Sequence, residues 1–198
     1  MSHGWIDRLE AAMRERQVVH ISRAFEDGYA RGYVLDLGPE FFLLALISDR
    51  IWFDGFECFR VQDVESVEPD PYVRFVEAAL TARSETLPEA PAVRLSSVGD
   101  LLKTASQGFP LITVHKERTA PDICHIGQVV GIEGGVLWML EIDPNAAWGD
   151  AASPHRLADI TRVNFGGDYE GALALVGGAP PESPSRDYVP LRLVTDDR

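Results

Sequence analysis

The chain has 198 residues, 45% of them hydrophobic, and carries 18 basic against 31 acidic side chains, a formal net charge of -13. That length and apolar content are enough for a real core and exclude a disordered chain, while the acidic excess disfavours generic binding to nucleic-acid backbones and anionic membranes. No run approaches the roughly eighteen apolar residues of a membrane-spanning helix, and the start MSHGWIDRLEAAMRERQ lacks the pattern of a signal peptide; the expectation is a cytoplasmic protein whose Cys58 and Cys124 are reduced thiols.

In chain order, Ser2 is placed to cap a helix with apolar positions Trp5, Ile6, Leu9, Ala12 and Met13. A first strand, VVHIS, follows at residues 18–22, rich in β-branched side chains. RGYVLDL and EFFLLALIS then read as two strands reversed at Gly38-Pro39, and FRVQDVESV ends the sheet pattern. Asp70-Pro71 predicts the start of a second helix with Tyr72, Phe75, Val76, Ala79 and Leu80 on one apolar stripe.

After the Pro-containing segment SETLPEAPAVRLSS, the same series recurs. Ser97 and Asp100 form a capping pattern ahead of Val98, Leu101, Leu102 and Ala105. LITVH repeats the first strand, and IGQVVGIEGGVLWMLEID repeats the hairpin around Gly134-Gly135. HRLADITRV repeats the third pattern, and Asp168 precedes a helix with Tyr169, Ala172, Leu173 and Val176. The offsets drift slowly: 93 for Leu9 and Leu102, 95 for Gly32 and Gly127, 96 for Arg60 and Arg156, 97 for Tyr72 and Tyr169. This periodicity predicts an internal duplication, with units at residues 1–83 and 97–177, a linker at 84–96, and a tail at 178–198. Within that tail, YVPLRLV alternates as a short edge strand would, with Pro190 blocking further pairing.

The stretch RGYVLDLGPEFFLLALISDRIWFDGFECFRVQDVESVEP resembles the core of Sm-like proteins, the family of the Hfq-like RNA chaperones, and the likeness covers most of residues 3–68 and 98–165. It implies a mainly β fold with flanking helices (α+β), as two tandem small five-stranded barrels of Sm-like or Src-homology-3-like type. The RNA-binding residues of that family have no full counterpart here. DLGPEFF and IEGGVLW stand at its Asp/Asn turn, and CFRVQD and PHRLAD stand at its Tyr-Lys-His run, where Arg60, Arg156 and His155 are partial echoes. Because such barrels close rings through strand edges, a chain with two units is expected to be a monomer or small oligomer.

Four side chains are the candidate binding residues: Arg60, Arg156, His155, and Trp148, the last in the loop-forming stretch NAAWGDAASP, where it is expected to be exposed. Arg60 with Asp63 and Arg156 with Asp159 are the charged pair common to both units, read as a structural ion pair near the last strand. HKERTAPDICHIG offers His115, Asp122, Cys124 and His125, but adjacent Cys124 and His125 cannot easily face one ion, so no metal is expected. Phe41, Phe42, Trp52, Phe53, Phe56 and Phe59 are read as core, in strands buried on both faces. No nucleophile elbow, phosphate-cradling loop or zinc-protease pattern occurs. The expectation is a non-catalytic protein-interaction module without a cofactor, with a divergent RNA binder and an enzyme of unrecognised type as alternatives.

Overall fold

The computed structural model describes residues 3–25 and 28–181; Ser2 and the YVPLRLV arm lie outside them. Helix α1 (His3–Glu15) buries Leu9 and Ala12 and packs Trp5 and Met13 beside them. Then come β1 (Val18–Arg23), β2 (Ala30–Leu37), β3 (Phe41–Ile47), β4 (Phe53–Arg60), a 3-10 turn at Val61–Asp63, β5 (Val64–Pro69) and α2 (Val73–Ala82). The second half follows with α3 (Val98–Gly108), β6 (Ile112–Lys116), β7 (Ala120–Glu133), β8 (Val136–Glu141), β9 (Ser153–Arg156), a 3-10 turn at Leu157–Asp159, β10 (Arg162–Phe165) and α4 (Asp168–Gly177). Ser97 caps α3, its Oγ accepting the Asp100 amide at 3.1 Å.

All the described strands join one antiparallel sheet in the order β5-β1-β2-β3-β4-β10-β6-β7-β8-β9. This corrects the expectation of two five-stranded barrels. The outer edge of β4 is taken by β10, with Phe59 opposite Arg162, Cys58 opposite Val163, Glu57 opposite Asn164 and Phe56 opposite Phe165. The backbone groups that would have closed one barrel therefore extend a common ladder, and β5 and β9 are left at the ends of the sheet. Both halves run fifth, first, second, third, fourth strand in chain order.

The hairpin glycines sit at the same place in each half. A Cβ on Gly32 would lie 2.1 Å from the Ala45 carbonyl oxygen, and one on Gly127 would lie 2.2 Å from that of Leu140. Only glycine permits so close a crossing, and each is followed by a register shift, between Val34 and Asp36 and between Val129 and Gly131. Bulges of this kind bend a strand.

Strand β3 is buried on both faces, as its unbroken apolar run predicts. Phe42 and Leu44 turn to the cluster under α1 with Phe59, whereas Phe41 and Leu43 join Cys58 in a core shared with Leu101, Leu102, Val114, Leu137 and Met139 of the second half. Burying each such Leu stabilises the fold by about 2 kcal/mol. Residues 84–96 have no regular structure, yet Leu95 is buried in that shared core, and its carbonyl accepts the Glu40 and Phe41 amides at 3.4 and 3.2 Å.

Helices α2 and α4 differ from their expected stripes. In α2, Val76 and Leu80 are buried while Phe75, and Tyr72 at the N-cap, are exposed; in α4 only Leu173 is buried, and Tyr169 and Val176 are exposed. A helix lying on a sheet covers a narrower strip than the helical period marks out. Asp70, read as a cap, starts no helix at once: it accepts the Tyr72 amide and forms a buried pair with His20 (2.7 Å) and Arg31 (2.8 Å).

A buried charged pair ties the halves together. Arg23 on β1 is 1% exposed and Glu117, just past β6, is 5% exposed; the guanidinium donates twice to the carboxylate at 2.8 Å and lies 4.4 Å from the Phe59 ring centre. Thr161 donates to the same carboxylate at 2.7 Å, and Arg162 Nε lies 3.2 Å from it. A buried charge that loses its partner is strongly destabilising. Arg23→Met is expected to lower unfolding stability by about 3 kcal/mol in urea titration. Arg94→Met, which removes an exposed contact to Asp100 at 3.9 Å, is expected to change it by less than about 0.5 kcal/mol. Equal effects of the two variants would contradict this assignment.

Candidate functional site

Alternation along the strands sorts side chains onto two faces. On the face away from the shared core, the strand registers set Glu57, Asn164, Thr113 and Ile126 in one row across β4, β10, β6 and β7, and Phe59, Arg162, His115 and Cys124 in the next. The Asn164 amide nitrogen donates to Glu57 Oε1 at 2.8 Å, Arg162 Nη2 donates to His115 Nδ1 at 3.0 Å, and Thr113 donates to Glu170 in the first turn of α4. Between that turn and the rows lies a cavity of about 230 Å³. Burial, then the charge of Arg162, pushes the His115 imidazole from 6.5 down to about 3. Burial alone would raise the Glu117 carboxyl from 4.5, but hydrogen bonds from Arg23 and Thr161 and the charges of Arg23 and Arg162 outweigh it and hold it at about 2.

A second polar cluster lies on the opposite face. His125 (β7), Glu141 (β8), and Ser153 with His155 (β9) share one side of three adjacent strands; His125 Nδ1 is 3.0 Å from Glu141 Oε2, and His155 Nε2 is 3.1 Å from Glu141 Oε1. The places these three residues hold, opposite Val114, Gly127 and Leu137, correspond in the first half to Ala30, Leu46 and Phe59, opposite Ile21, Gly32 and Phe42, apolar where they are polar. Among the described residues this is the one group able to share a metal ion, with ligating atoms within 4.8 Å of one another, and two imidazoles with a carboxylate suit zinc. The neighbours favour a hydrogen-bonded cluster instead. Lys116 Nζ is 3.3 Å from His155 Nδ1, and an ammonium can only donate there. The proton then sits on Nε2 and points to Glu141, occupying the atom a metal would need, whereas a metal-bound histidine presents its second N–H to an acceptor.

Nor is the cluster a hydrolytic triad. Ser153 Oγ is 3.1 Å from His155 Nε2, the same nitrogen that meets Glu141, whereas a relay needs hydroxyl and carboxylate on opposite ring nitrogens. Burial, followed by the nearby charges of His125 and Lys116, lowers the His155 pKa.

The structure scatters the residues singled out in the sequence. Arg60 is buried and reaches across the halves, donating to the Ile160 carbonyl at 2.8 Å, the Leu157 carbonyl at 3.3 Å, and Glu40. Its expected partner Asp63 pairs with Arg118 of the second half. Arg156 is exposed, its Nε 4.0 Å from Asp159. Trp148 is half-buried rather than displayed: its Nε1 donates to the Gly177 carbonyl at 3.1 Å, and it packs on Leu111, Ile142 and Leu173. His155 alone lies in a polar cluster. Of the stretch weighed for metal, His115 faces the cavity, His125 joins Glu141, and Asp122 and Cys124 are exposed. Glu57, Asn164 and Glu141 were missed, since the partners stand 107 and 16 residues apart and meet only through strand register.

Because the folded pKa of His115 lies below 6.5, the unfolded chain takes up a proton first as the pH falls. Its contribution is present above pH 6.5 and is lost as the pH falls toward 3. Glu117 adds a loss of the same sign from about pH 4.5 toward 2. Urea unfolding is expected to show a loss of about 2 kcal/mol from His115 between pH 7.5 and 5. His115→Gln should remove most of that slope; an unchanged slope would count against a neutral, buried His115.

No protein-family model, curated protein or solved structure matches this chain, so none of them identifies an Sm-like family.

Proposed function

We propose that this protein is a non-catalytic interaction module whose partner is another protein, a second copy of the chain included. The observation that supports this reading is the apolar surface on the helices that close each half. Tyr72 at the N-cap of α2 and Phe75 within it are 66% and 64% exposed, and Leu175 and Val176 on α4 are 84% and 75% exposed. Helix α4 is apolar nearly all round, from Ala172 to Val176, although only Leu173 is buried. An isolated exposed Leu is ordinary, but a helix apolar on its solvent side is a feature of contact surfaces.

The charge supports a protein rather than a nucleic acid as partner. With a net charge of -13, Arg60 held in carbonyl contacts and Arg23 locked to Glu117, the basic side chains nearest the joint are engaged in structure. Among the described residues no helix is long and apolar enough to cross a membrane.

Affinity purification of the full chain from its native cells, with co-purified protein and RNA both measured, tests the reading. A stoichiometric protein partner is expected, and it should be lost on combining Leu175→Glu with Val176→Glu, a surface change that should alter stability by less than about 0.5 kcal/mol. RNA recovered in salt-sensitive fashion, or a partner indifferent to the double variant, would overturn it.

A further inference from the structure

The cavity beneath α4 holds two buried polar atoms whose hydrogen-bonding needs are fixed and, among the described residues, unmet. His115 is 9% exposed. Arg162 can only donate, so His115 Nδ1 must accept, and the ring proton sits on Nε2. Among the described residues that Nε2–H has no acceptor. Asn164 is fixed in the same way: the Glu57 carboxylate takes its amide N–H, so the orientation of the amide is set and Oδ1 is an acceptor, itself buried without a donor among the described residues. Buried groups left like this cost about 1–3 kcal/mol each unless something fills the gap.

The two residues line the same cavity. Asn164 faces Thr113 and His115 faces Arg162, so they are diagonal neighbours on β10 and β6, with Cβ atoms about 7 Å apart. A ligand of a few atoms can therefore span them, accepting from one and donating to the other. The remaining lining sets its charge and character. Asp54, Glu57 and Glu170 are carboxylates, Arg162 stands behind His115 and Glu57, and among the described residues no Lys or Arg lines the space itself; the excess of carboxylates disfavours an anion and favours a cationic donor group. Leu46 and Ile126 supply apolar wall. A volume of about 230 Å³ accommodates roughly ten non-hydrogen atoms.

We propose that this cavity is a binding site for a small primary amine that carries a carbonyl or hydroxyl acceptor next to the ammonium group and a short apolar substituent, as in an amino-acid amide. The ammonium donates to Asn164 Oδ1 beside the carboxylates, the neighbouring oxygen accepts from His115 Nε2–H, and the substituent lies against Leu46 and Ile126. The site is separate from the apolar contact surface of α2 and α4 and does not depend on it.

Leucinamide is the probe, with leucine and N-acetylleucinamide as its controls: the first control adds an anion and the second removes the charged donor. Two measurements on the full chain apply, calorimetric titration and the rate of Cys124 modification by a thiol reagent. Cys124 lines the cavity and is exposed, whereas Cys58 is buried, so the reagent reports on the site. Leucinamide is expected to bind with Kd below about 1 mM and to slow the modification, and each control should bind at least about tenfold more weakly. Asn164→Leu and His115→Phe should each weaken leucinamide at least about tenfold. Absence of binding and protection in the unaltered chain, binding of leucine as tight as that of its amide, or full affinity in both folded variants would overturn the assignment; where a variant does not fold, the control ligands and Cys124 protection in the unaltered chain decide.

Discussion

The pairing of β4 with β10 is the constraint on which the rest of this structure depends. Four residue pairs, from Phe59–Arg162 to Phe56–Phe165, turn two five-stranded runs into one sheet. An unpaired strand edge carries a row of donors and acceptors that need partners, and here each half supplies them for the other. Once this ladder forms, the side chains on its two faces are set by alternation. Cys58 and Val163 enter the shared core on one face, and Glu57, Asn164 and Arg162 are placed together on the other.

Charge then makes the joint specific. Hydrophobic burial would hold the two halves in many relative positions, since Phe41, Leu43, Leu101 and Leu137 impose no direction. Arg23 with Glu117, Arg60 with the Leu157 and Ile160 carbonyls, and Arg118 with Asp63 do impose one. Each spans the halves, and the first is almost wholly buried. A shifted register would strand these charges away from water, at a cost larger than the gain from any single apolar contact. The same joint creates the neutral His115: burial first, then the charges of Arg162 and Arg23, keep the imidazole uncharged, and Arg162 fixes which nitrogen holds its proton.

Local features were legible in the amino-acid order. The β-branched VVHIS and LITVH runs form β1 and the strand region of β6, Ser97 caps α3, and Gly32 and Gly127 stand where a side chain would strike the next strand. The double burial of β3 was visible in EFFLLALIS. Long-range pairing was not. Nothing in the sequence distinguishes a β4 edge that closes on its own half from one that meets β10, because both choices bury the same alternating side chains. The bulges at Val34 and Val129 compound this, since a one-residue shift exchanges the two faces of a strand. For that reason Glu141 could not be placed beside His125, nor Asn164 beside Glu57. Tyr72 and Phe75 fail differently: helical spacing shows which side chains share a face, not how much of that face a neighbouring sheet covers.

If the β4–β10 ladder makes the chain a single cooperative unit, its amides should be among the last to open. Native-state hydrogen exchange, followed residue by residue in low denaturant, measures this directly. The account predicts that the hydrogen-bonded amides of β4 and β10 exchange only through global unfolding, at the same free energy as those of β3 and β6. Exchange of the β4 and β10 amides at a distinctly lower free energy, with β3 and β6 still protected, would mean that the halves separate before they unfold and would contradict it.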